Sequence, residues 1–137
     1  MALYMLDTNA VSAVMRGNPL MDAKLLPLDP ADWCISAVTH SEICFGLALR
    51  PEASTLARAA SAFFAMATTL AWDAAAAQAH GRVRAHLRQA GTPIGDFDEM
   101  IAAHALTVGA VLVTDNERHF RRIDGLAIEN WIRRKDD

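Results

Sequence analysis

Three short apolar runs in this chain halt abruptly on polar residues, and the stretches between them are long enough for helices. Ala2-Leu3-Tyr4-Met5-Leu6 stops at Asp7-Thr8-Asn9, Trp33-Cys34-Ile35-Ser36 forms the second run, and Ala110-Val111-Leu112-Val113, the clearest, closes at Thr114-Asp115-Asn116. Near-continuous apolar runs of this length mark strands buried on both faces. Strands alternating with helices imply right-handed crossovers, and so an α/β fold with a central, mainly parallel sheet covered on both sides. In such sheets ligands bind beyond the carboxyl ends of the strands. Asp7 and the pair Asp115-Asn116 both stand where a strand has just ended.

The intervening pattern predicts helices over 8–16, from the Gly17-Asn18-Pro19 break to about 26, and over 37–49, 52–66, 73–90 and 96–108, with a short piece to about 121. Apolar residues recur at helical spacing in 37–49 (Val38, Ile43, Phe45, Leu47, Leu49), and Asp96 is the expected N-cap of the 96–108 helix. Weaker strands are expected at 68–71 and 126–128. At 137 residues the chain fits one compact domain spanning 1–137.

A hydrophobic fraction of 53% with 21% charged residues excludes a disordered chain. No apolar run approaches the roughly 20 residues that span a bilayer. The N-terminus meets an acid after six residues and has no basic leader, so no membrane partner and a cytoplasmic location are expected. Cys34 and Cys44 lack CxxC spacing and have apolar neighbours, which predicts buried free thiols. The net charge is −3, unevenly spread: residues 1–79 hold four basic residues against seven acids, and residues 80–137 hold nine of each. Arg82, Arg84, Arg88, Arg118, Arg121, Arg122, Arg133, Arg134 and Lys135 thus concentrate in the second part, where they serve either as phosphate contacts or as a solvated surface.

The placement of the acids carries the chemistry. Asp7 follows a buried strand, Glu42 lies inside a largely apolar helix, and Asp98 opens another. Carboxylates gathered in apolar surroundings repel one another and persist only if protons or a cation neutralise them. Mg²⁺ suits such a cluster, because it takes one or two carboxylates, keeps several waters and bridges to phosphate oxygens. In that reading Asp7 and Asp98 hold the metal, Glu42 is a further ligand or orients the attacking water, and Asn116 with Asp115 completes the pocket.

Each residue has a structural alternative. Asp7 would equally cap the following helix, Glu42 would sit on a solvated face, and Asp98 would favour the helix dipole. Asp115 and Asn116 are ordinary turn residues, and Glu99 is expected on a solvated part of its helix. The five histidines show no HExxH or other compact ligand spacing, which argues against zinc, and His104 reads as a packed helix residue. No GxGxxG or Walker A motif points to a nucleotide cofactor. Asp7-Thr8-Asn9 lacks the second acid of a DxD phosphatase nucleophile.

Taken together, the segments resemble the PIN-domain ribonucleases, and more closely the VapC-type toxins of type II toxin–antitoxin modules. The blocks are Tyr4-Met5-Leu6-Asp7-Thr8-Asn9, Ile35-Ser36 through Glu42 and Gly46, Thr92-Pro93-Ile94-Gly95 with Asp98 and Ile101-Ala102-Ala103-His104-Ala105, then Leu112-Val113-Thr114-Asp115-Asn116 and Glu129-Asn130-Trp131. The resemblance implies a three-layer α/β/α PIN-like domain and dependence on Mg²⁺ or Mn²⁺. It also implies endoribonuclease cleavage of structured RNA, such as transfer RNA, that inhibits translation. Asp7 and Asp98 match the metal ligands and Glu42 the third acid, while Asn116 stands at the fourth acidic position, where related toxins also carry Asn. Further implications are a homodimer and a hetero-oligomer with a cognate VapB-type antitoxin. Two alternatives remain: a PIN-type nuclease of RNA processing or DNA, and a catalytically silent binding module that holds a basic partner in the acidic pocket.

Overall fold

The computed structural model describes residues 2–133; Arg134 and Lys135, counted above among the basic residues, lie outside them. Five strands form one sheet: β1 (Tyr4–Leu6), β2 (Trp33–Ser36), β3 (Thr69–Leu70), β4 (Val111–Val113) and β5 (Ile128–Glu129), in the order β3-β2-β1-β4-β5. Every neighbouring pair is parallel, with Tyr4 opposite both Trp33 and Val111. The helices are α1 (Thr8–Met15), α2 (Pro19–Leu25), α3 (Ala37–Leu49), α4 (Ser54–Met66), α5 (Ala74–Gln89), α6 (Asp96–Val108) and α7 (Glu117–Phe120).

Alternation along the strands sends successive side chains into two cores. Met5 and Leu112 join Val83 and Leu87 of α5 and Ile101 of α6 on one face. Leu6, Ile35 and Val113 join Val11 of α1, Met21 of α2 and Phe63 of α4 on the other. Three layers result. The chain's many alanines find a use here: Ala76 and Ala79 of α5 and Ala102, Ala103 and Ala105 of α6 are all buried, small enough for two helices to lie close together.

Three local expectations are corrected. The last strand lies at Ile128–Glu129 rather than 126–128, because pairing Leu112 with Ile128 sets its register. Gly95, at φ 112°, occupies the N-cap of α6 with no side-chain cap; Asp96 is the first helical residue instead, where a carboxylate still favours the dipole. Cys34 is buried as expected, but Cys44 is exposed. The reason is the rotation of α3, which turns Val38, Thr39 and Ile43 inward and leaves Phe45 and Leu49 about two-thirds exposed, at 64% and 65%. Among the described residues, no helix is long and apolar enough to cross a membrane.

The strand order also fixes where a crevice opens. From β1 the chain builds outward through β2 to β3, then crosses back over β1 to add β4 and β5 on the other side. The connections leaving β1 and β4 therefore diverge to opposite faces, and a gap opens at the carboxyl ends of these two central strands.

Candidate active site

Asp7 stands at the carboxyl end of β1, with its backbone N–H donating to the Val113 carbonyl of β4 at 3.0 Å. Its Oδ1 caps α1 by accepting from Ala10 N–H at 2.8 Å, and its Oδ2 accepts from the Thr114 hydroxyl at 2.6 Å. Cap and crevice residue are thus one side chain, so the two readings of Asp7 do not compete. The residue is only 2% exposed. Burial pushes its carboxyl up to about 6; the Thr114 and Ala10 hydrogen bonds pull it down, and the charges of Asp98 and Asp115 push it further up.

Glu42 comes in from α3, one face of which is held by the end of β2. Ser36 caps that helix by accepting from Val38 N–H at 3.1 Å, and its hydroxyl shares a 2.8 Å hydrogen bond with Nδ1 of His104 on α6. This buried link ties together the two helices that carry Glu42 and Asp98. Burial accordingly lowers the pKa of His104, which is a packed helix residue. The Thr8 hydroxyl donates to Glu42 Oε1 at 2.5 Å, fixing the carboxylate against the start of α1.

Asp98 lies in the first turn of α6 with its side chain one-third exposed. Its carboxyl is raised above the usual range, first by burial and then by the charge of Glu42; the neighbouring His119 and the Asn116 amide hold it partly back. Asn116 follows β4, braced by its own N–H donating to Thr114 Oγ1 at 2.9 Å, and its Nδ2 approaches Asp98 Oδ2 at 3.4 Å. Asp7, Glu42, Asp98 and Asn116 therefore converge from four segments on the carboxyl ends of β1 and β4.

Asp115 turns elsewhere. Its two oxygens accept from Arg133, with Nε at 2.7 Å from Oδ1 and Nη2 at 3.0 Å from Oδ2, and Oδ1 also accepts from Asn130 Nδ2 at 3.0 Å. It reaches the site as charge acting on Asp7, while its hydrogen bonds anchor the chain after β5. Glu99 also departs from expectation: it is 2% exposed, because it shares the inward face of α6 with Ala102 and Ala103. Sequence pattern does not mark Thr8, Thr114 or His119 as site residues, because a hydroxyl or an imidazole beside a strand end carries no pattern of its own. The strand-end position of Thr114 is the available signal.

The donor set consists of oxygens, and the charge of Asp98 raises the Asp7 carboxyl while that of Glu42 raises the Asp98 carboxyl, so the residues fit a hard divalent cation. Among the described residues, no three of His, Cys, Asp and Glu are drawn together tightly enough to cage an ion. Such a cage is not required, since Mg²⁺ is commonly held by one or two carboxylates with water completing its shell, and each Asp7 oxygen has a lone pair beyond the hydrogen bond it accepts.

Comparison with known proteins agrees with this geometry. The family model described as PIN domain matches residues 4–126. The chain is 37% identical over 133 residues to the tRNA(fMet)-specific endonuclease VapC of Salmonella typhimurium, and 36% identical over 131 residues to that of Shigella flexneri; each alignment covers 96% of this chain and 99% of the relative. Among solved structures, VapBC2 from Rickettsia felis bound to a DNA fragment from its promoter superposes with a TM-score of 0.85 at 29% identity, covering 94% of this chain and 98% of that one. PIN-domain nucleases as a family depend on divalent metal. A full-length match in sequence, a shared three-layer fold and acids gathered at the strand ends agree: this chain belongs to the PIN-domain family, among the VapC ribonucleases.

Proposed function

We propose that this protein is a Mg²⁺-dependent endoribonuclease toxin that cuts structured RNA, in the first instance transfer RNA, and thereby stops translation in the cytoplasm. One observation carries the reading: Asp7, Glu42 and Asp98 gather at the carboxyl ends of the two central strands, where, beyond the effect of burial, the charge of Asp98 raises the Asp7 carboxyl and that of Glu42 raises the Asp98 carboxyl. Like charges held so close favour a cation, and a divalent cation can activate water and stabilise the charge that builds on a phosphodiester as it is cleaved.

In this mechanism Asp7 and Asp98 hold the ion. Asp7 is immobilised by Ala10 and Thr114, while the more exposed Asp98 faces the incoming strand. Glu42, aimed by the Thr8 hydroxyl, orients the attacking water or adds a ligand. A bound divalent ion supplies charge stabilisation on the phosphate and acidifies water. Asn116 keeps Asp98 in place through its amide, and Asp115, tied to Arg133, adds negative potential behind Asp7. The whole chain, 1–137, acts as one nuclease domain.

A VapB-type antitoxin and a second copy of the chain are the proposed partners. The solved relatives include VapBC complexes, and the exposed Phe45 and Leu49 on α3 offer apolar surface for such contacts. Incubating the purified chain with Mg²⁺ or Mn²⁺ and total RNA, then mapping the cut ends, tests the activity. Discrete transfer-RNA cuts that vanish in Asp7→Asn are expected, and intact RNA with either ion overturns the reading. One observation favours a catalytically silent module instead: an amide, Asn116, stands at the fourth acidic position. That reading requires intact RNA together with tight antitoxin binding.

A further inference from the structure

At the mouth of the crevice, beside the acids, stands an imidazole that the carboxylate chemistry does not use. His119 lies on the short helix α7, where the next residue, Phe120, is fully buried and fixes the direction of the turn. Its Nδ1 is 2.8 Å from Asn116 Nδ2 and 4.0 Å from Asp98 Oδ2, and its side chain is 38% exposed.

The hydrogen bonds determine where the ring's proton sits. A carboxylate oxygen only accepts, so it is the NH₂ end of the Asn116 amide that faces Asp98. The same NH₂ reaches His119, so Nδ1 must accept from it. While that contact stands, the uncharged ring carries its proton on Nε2, an atom with no hydrogen-bond partner among the described residues. Asn116 thus holds a fixed N–H donor at the rim of an acidic pocket.

That is an unusual place for a neutral donor, and its chemistry matters. Carboxylates repel an approaching RNA phosphate, so the rim needs a group that attracts phosphate oxygen. A lysine or arginine there would pair with Asp98 and compete with the cation. A neutral imidazole N–H binds the phosphate without competing for the acid. We infer that His119 is a substrate-binding residue, whose Nε2–H donates to a non-bridging phosphate oxygen of the RNA strand lying across Asp98. This rests on the ribonuclease reading above.

Three substitutions separate the two ring nitrogens. Gln at 119 places an amide N–H near the position of Nε2, Asn reaches only as far as Nδ1, and Phe keeps the ring without either nitrogen. The full chain is assayed for total transfer-RNA binding in EDTA, where no cleavage occurs, and for kcat and KM with Mg²⁺. His119→Asn and His119→Phe should each weaken binding about tenfold, the worth of one hydrogen bond to a charged acceptor. KM should rise in step with kcat little changed, and His119→Gln should recover most of the binding. The opposite order, with Asn preserving binding and Gln losing it, overturns the inference, because the inner contact to Asn116 alone would then matter. Unchanged RNA binding in all three variants also overturns it, as does a loss of calorimetric Mn²⁺ affinity in place of RNA affinity. If the wild type itself neither binds nor cuts transfer RNA, the ribonuclease reading falls too; if it cuts and the variants bind as it does, only the role of His119 falls.

Discussion

Asp7 and Asp73 play the same local role in different settings. Each follows a strand, adopts an extended backbone and caps the next helix by accepting from the N–H three residues on, at 2.8 Å from Ala10 and 3.0 Å from Ala76. Asp73 follows the edge strand β3 and is exposed, whereas Asp7 follows the central β1, where the Thr114 hydroxyl closes over it and its carboxyl rises to about 6. A capping aspartate at the sheet edge stabilises a helix. The same side chain at the centre, with Asp98 nearby, becomes part of an acidic crevice. Strand position, not local sequence, separates the two.

The contrast can be broken by exchanging each acid for its amide, which keeps the cap acceptor. Asp7→Asn should lower RNA cleavage about a thousandfold, the scale of losing a main electrostatic stabiliser. Asp73→Asn should leave cleavage within experimental error of wild type in the same assay, and equal losses would show that the position of the strand does not matter.

Next in size is a pH effect. The carboxyl of Asp7 moves from an ordinary 3.8 to about 6 on folding, so the folded chain keeps this proton where the unfolded chain releases it. Its contribution to stability is complete below about pH 4 and is lost as pH climbs through 6, a fall on the order of 3 kcal/mol. Urea unfolding of the metal-free protein between pH 4 and 7 should show that decline. The slope should flatten in Asp7→Asn and persist in Asp73→Asn; a wild-type profile flat across the range would contradict the burial argument.

Thr114 is what most distinguishes the surroundings of the two caps. Its hydroxyl donates to Asp7 and accepts from Asn116 N–H, so Thr114→Val should cost about 2 kcal/mol in urea unfolding at neutral pH and drive the Asp7 carboxyl higher still. The smallest effect sharpens the edge side of the comparison. Asp73→Ala should cost about 1 kcal/mol, the usual value of a lost N-cap, with cleavage unimpaired. A cleavage defect there would mean that α5 positions the site through its packing on α6.

Much of the architecture was readable because strands buried on both faces must be apolar throughout. The run ending at Leu6 and the run ending at Val113 announced the two central strands, and the residues just after them marked the crevice. Legibility failed where orientation mattered more than identity. Nothing in Thr114-Asp115-Asn116 says that Asp115 will turn to Arg133 while Asn116 turns to Asp98. Cys44 reads as core, yet the rotation of α3 exposes it, and Glu99 reads as surface, yet α6 buries it.

By itself, then, the order of residues determined which segments would be strands, which would be helices, and which acids would fall at their junctions. These are consequences of local periodicity and of the cost of burying polar groups. Only the tertiary structure decided that Asp7, Glu42 and Asp98 would share one field, that Thr8 and Thr114 would aim two of them, and that His119 would join them through Asn116. Those outcomes depend on distances between residues as far as 107 positions apart in the chain, set by strand order and helix rotation, to which no short stretch of sequence has access.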